Sequence, residues 1–102
     1  MKVIKMLSEK IESTLNCAED NIKDAIEYKD EYPEVASTLF SLSEIEMKNM
    51  TMLHTIVSKV IMEYRKTNGE PPEPMMAVYD YLHKRHIDHA AKIKAMQAMY
   101  KE

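Results

Sequence analysis

The sequence is poor in the residues that punctuate and cross-link a chain. A single glycine in 102 residues leaves almost no positive-φ positions for tight hairpins and excludes a turn-rich β fold. A single cysteine, Cys17, excludes an internal disulfide framework and a cysteine-based zinc site. Next to a core alanine, Ala18, it is expected to be a buried, inert thiol. No apolar run approaches the ~18 residues of a membrane span. The stretch Met1–Lys10 carries too short an apolar run to read as a signal peptide. Positive charge is not in excess: 14 Lys and Arg stand against 17 Asp and Glu, a net charge of −3. With both signs interspersed there is no electrostatic footprint for nucleic acid or for an acidic membrane. A glycine-rich phosphate loop is also missing, and Cys17 has no activating histidine nearby in the sequence. The expectation is one reduced, cytoplasmic, soluble domain covering residues 1–102.

What is present is helical pattern. The apolar fraction is 45%, enough for a core. Breaks fall at Tyr32-Pro33-Glu34 and at Asn68-Gly69-Glu70-Pro71-Pro72-Glu73-Pro74. Pro33 and Pro74 suit helix starts, because a first-turn N–H has no intrahelical partner to lose. Asn68-Gly69 suits a left-handed cap. These signals predict helices over residues 3–31, 34–67 and 74–101. Each carries an apolar stripe at three- and four-residue spacing. The first runs through Ile4, Ile11, Leu15, Ala18, Ile22, Ala25 and Tyr32. The second runs through Ala36, Leu39, Ser43, Glu46, Met50, Leu53, Val57, Val60 and Tyr64. The third runs through Met75, Tyr79, Leu82, His86, His89 or Ala90, Ile93, Met96 and Tyr100. Helix 2 has a second stripe, Leu42, Ile45, Asn49, Met52 and Ile56. A helix that is apolar on two sides is covered on two sides. The fold class expected is all-α, three long antiparallel helices in a bundle completed by dimerisation, so the expected partner is a second copy of the chain.

The polar residues inside the stripes are the candidate functional residues. Folding helix 2 back about residues 32–33 puts Glu46 level with Glu19. Two facing glutamates repel unless a metal ion, a shared proton, or a lysine or arginine lies between them. The same geometry brings His54 towards Glu12 and, across helix 3, towards His86. His86 is spaced three residues from both His83 and His89, so each pair shares a helix face. Glu19, Glu46, His54 and His86 are therefore the candidate metal positions. The plainer alternative is a hydrogen-bonded polar layer that sets helix register. The ten methionines read as core and interface filling.

The stretch Tyr32-Pro33-Glu34-Val35-Ala36-Ser37-Thr38-Leu39-Phe40-Ser41-Leu42-Ser43-Glu44-Ile45-Glu46-Met47-Lys48-Asn49-Met50 resembles the second helix of the ferritin-like superfamily, especially rubrerythrin-like and encapsulated-ferritin-like proteins. With Glu19 included, the resemblance covers about half the chain. In that family one helix gives a Glu and the next a Glu-x-x-His, and two such hairpins build a di-iron site. The resemblance implies Glu19 as the first-helix ligand and Glu46 as the Glu of the motif. Asn49 stands at the motif's histidine position, and helix 3 has no Glu-x-x-His.

Two functions follow as expectations. One is a small ferritin-like protein that binds iron or manganese between facing helices, with a ferroxidase or peroxide-related role. The other is a metal-free helical structural or interaction module that kept the fold and lost the site.

Overall fold

A computed structural model describes all residues, Met1–Glu102. The chain forms three helices: α1 (Lys2–Tyr28), α2 (Pro33–Asn68) and α3 (Glu73–Lys101). They make an elongated body of 55 × 18 × 17 Å, its long dimension set by the 36 residues of α2 at 1.5 Å each.

The punctuation works as its chemistry requires. Pro33 opens α2 after Tyr32, whose φ of −135° and ψ of 72° lie outside the helical region, which a following proline disfavours. Glu34 and Glu73 lie in the first turns of α2 and α3, where the helix dipole favours negative charge. Gly69 closes α2 at φ 77°, its N–H donating to the Arg65 carbonyl. A side chain there would be strained whatever the surrounding space.

α1 ends at Tyr28, three residues before the predicted end. This earlier stop shifts the register of the hairpin. Its bend centres on residues 30–31, and Ser43 of α2 meets Ala18 of α1. A bend at 32–33 would have placed Ser43 against Ile22. The offset is one helical turn.

The core is the α1 stripe and what packs on it: Ile4, Leu7, Ile11, Leu15, Ala18, Ile22 and Ala25, with Met47, Val57 and Ile61 from α2 and Ala90 and Ile93 from α3. Two expected core positions differ. Tyr32 is exposed, because it belongs to the turn after the shortened α1. Met47 is buried where Glu46 was expected, and Glu46 is only half-buried; the apolar neighbour takes the inward position and leaves the carboxylate at the edge. α3 runs parallel to α1. The Met1 ammonium lies 3.1 Å from Met75 Sδ at one end. At the other end Lys29 Nζ donates to the Tyr100 carbonyl, giving the last turn of α3 a positive partner. No helix is long and apolar enough to cross a membrane.

Candidate functional site

Three polar nodes tie the helices together. At the first, the fully buried Ser43 hydroxyl donates to the Ala18 carbonyl at 2.8 Å and accepts from Gln97 Nε2 at 3.0 Å. One hydroxyl thus joins α1, α2 and α3 at a single level, with both its donor and acceptor roles used.

The second node is centred on Glu19 of α1, whose side chain is 16% exposed. Lys23 Nζ, one turn along α1, bonds Oε2 at 2.8 Å. From α3, His89 Nε2 and Lys92 Nζ bond Oε1 at 2.9 and 3.3 Å. The Lys23 ammonium above all, opposed by burial and helped by His89 and Lys92, holds the Glu19 carboxyl down to about 2. A carboxylate so deeply stabilised as an anion is a poor proton acceptor. It fastens α3 to α1.

The third node is His54 of α2 against His83 of α3. Nε2 of His54 lies 2.8 Å from Nδ1 of His83, the rings stack at 4.5 Å, and the Tyr79 ring lies 5.7 Å beyond. An N–H on one imidazole donates to the bare nitrogen of the other. Burial first, and then the neighbouring His83 imidazole, push the His54 pKa below its usual value. His86, one turn further on, is 9% exposed. Burial lowers its pKa against the opposing pull of the Glu12 carboxylate, and Arg85, His83 and His89 add to the lowering. Both imidazoles are built to stay neutral.

Of the four expected metal positions, Glu19, His54 and His86 fall in or beside these nodes and Glu46 lies outside them. Glu19 partners Lys23, His89 and Lys92. Glu46 accepts a 3.3 Å hydrogen bond from Asn49 Nδ2 on the exposed side of α2. His54 reaches His83, and His86 sits in the α3 core stripe. The one-turn register offset sets Glu46 level with Leu15 and Glu19 level with Leu42. No three His, Cys, Asp or Glu side chains stand together so as to hold a metal ion. The donor set within one chain does not fit an iron or manganese centre. Cys17, expected as buried, is exposed, being one position off the α1 core stripe.

Sequence reasoning missed Lys23, Gln97 and Lys92. A signal existed for Lys92, which follows His89 by three residues and so continues a donor row on one face of α3.

An open groove of about 610 Å³ runs between the first halves of α1 and α3, walled by Ile4, Met75, Val78, Tyr79 and Leu82. No histidine lines it. The outer side of α2 is different in kind. Leu42, Ile45, Met52 and Ile56 lie there 43%, 49%, 71% and 42% exposed, so the second stripe of α2 is open.

No protein-family model, curated protein or solved structure matches the chain.

Proposed function

We propose that this chain is a metal-free helical interaction module that works as a homo-oligomer, retaining a ferritin-like helix arrangement without a metal centre. The observation that carries the reading is the open stripe of α2. An apolar row of this length on a charged helix is costly to leave in water and marks a docking surface. The polar nodes support the same reading. Each ionisable group in them is engaged by a neighbouring side chain or held neutral, which stabilises a scaffold and leaves no reactive group free.

Iron or manganese binding, the function implied by the ferritin-like resemblance, has weaker support. Glu19 has both oxygens engaged by cations, and Asn49 supplies an amide where that family supplies imidazole. The module reading is tested with Leu42→Glu combined with Ile56→Glu. The double variant should keep its helix content by circular dichroism and drop to monomer mass by light scattering. An unchanged mass would overturn the α2 face as the docking surface.

A further inference from the structure

α2 leaves six large apolar side chains exposed: Val35, Leu42, Ile45, Met52, Ile56 and Met62. All but Met62 fall on one row with alternating steps of three and four: 35, 38, 42, 45, 49, 52, 56, 59. Thr38, Asn49 and Lys59 complete it. The exposed apolar residues of α3, namely Val78, Tyr81, Ile87 and Met99, are separated by irregular gaps and form no such row. The core-facing row of α2, from Ala36 through Ser43, Met47, Val57 and Ile61, obeys the same seven-residue repeat. It lies about 150° round the helix at 100° per residue. α2 therefore carries two heptad seams, one filled by its own chain and one open.

A heptad seam fits another heptad seam. In heptad terms Val35, Leu42, Asn49 and Ile56 occupy a, and Thr38, Ile45, Met52 and Lys59 occupy d. The five exposed apolar side chains of the row present on the order of 500 Å² per chain, so two copies would cover about 1,000 Å² before Thr38, Asn49 and the Lys59 stem are added, the threshold for a specific interface. Asn49 decides the orientation. In the antiparallel register that pairs the whole row, Asn49 faces Ile45 of the other copy and keeps only its own Glu46 as a partner; one heptad to either side it faces Met52, or faces Thr38 in a register that leaves Ile56 uncovered. The whole-row register also sets Glu46 against Glu46 and Lys48 against Lys48. In a parallel, in-register pair the two Asn49 amides face each other and can exchange hydrogen bonds, the arrangement by which a single a-position asparagine fixes register and oligomeric state.

We infer that the occupant of the open α2 seam is α2 of a second copy, parallel and in register, with Asn49 against the partner's Asn49 as the orienting pair. This deepens the interaction-module reading and rests on it.

The test uses the full chain in a Cys17→Ser background, with Val35→Cys or Lys59→Cys at opposite ends of the seam. Under oxidised glutathione each variant alone should form a covalent dimer. A mixture of the two should form no Val35→Cys to Lys59→Cys cross-link. The reverse outcome, hetero-linked dimers from the mixture and none from either variant alone, means an antiparallel pair; it overturns the orientation and leaves the docking face standing. A cysteine-free chain that stays monomeric at every concentration overturns the docking reading itself. Asn49→Ile should tighten association at least tenfold and allow hetero-linked dimers to appear in the mixture. Unchanged affinity and unchanged cross-linking in that variant would overturn the role of Asn49.

Discussion

Glu19→Gln removes one charge from a carboxylate that three cationic or imidazole donors surround. The size of the effect follows from linkage. A carboxyl held at about 2 in the folded chain against an ordinary 4.5 corresponds to roughly 3 kcal/mol at neutral pH. Lys23 and Lys92 are 53% and 60% exposed, so solvent screens their share, and about 1–2 kcal/mol is the expected loss. The sign is fixed by the direction of the shift. The folded pKa is depressed, so the stabilisation is complete above pH 4.5 and is lost as pH falls towards 2. Urea unfolding of wild type and Glu19→Gln at pH 7, 4 and 3 measures this. The wild-type advantage should be full at pH 7, smaller at pH 4 and smaller again at pH 3. An advantage that is absent at pH 7, or that does not change with pH, would refute the account of Glu19 as an ionised staple between α1 and α3.

Ser43→Ala removes a buried hydroxyl and strands the Gln97 amide; it should cost about 1–2 kcal/mol by urea unfolding, and Gln97→Ala added to it should cost much less than Gln97→Ala alone. His54 and His86 have lowered pKa values, so their contribution is present above pH 6.5 and lost as pH falls below it. Stability should therefore be lower at pH 5.5 than at pH 7.5, well above the window in which Glu19 titrates, and a flat profile between those values would contradict the neutral-imidazole reading. Excess Fe(II) or Mn(II) should leave the melting temperature unmoved; a site occupied at a hundred times its Kd would add about 2.7 kcal/mol and raise it by several degrees.

The fold was legible where local chemistry decides it. Pro33, Asn68-Gly69 and Pro74 place the helix breaks, and the apolar spacing of α1 and α3 marks their inner faces almost residue by residue. The candidate site was less legible because its geometry depends on hairpin register, which no stripe encodes by itself. A helix end three residues earlier moved the facing partners by a turn and separated Glu19 from the level of Glu46. Glu46 and Met47 are neighbours on α2, and a step of one residue is the difference between facing the core and lying at its edge. The Glu19–His89 contact joins α1 to α3 through residues 70 positions apart, and pattern within one helix cannot place it. The second stripe of α2 was readable outright, since an apolar row at helical spacing states that a face is to be covered.

That covering is the claim on which the functional account stands. Sedimentation equilibrium of the unmodified chain over two decades of concentration tests it most directly. The account predicts a reversible approach to twice the 11.9 kDa chain mass. A single species of 11.9 kDa at every concentration would contradict it.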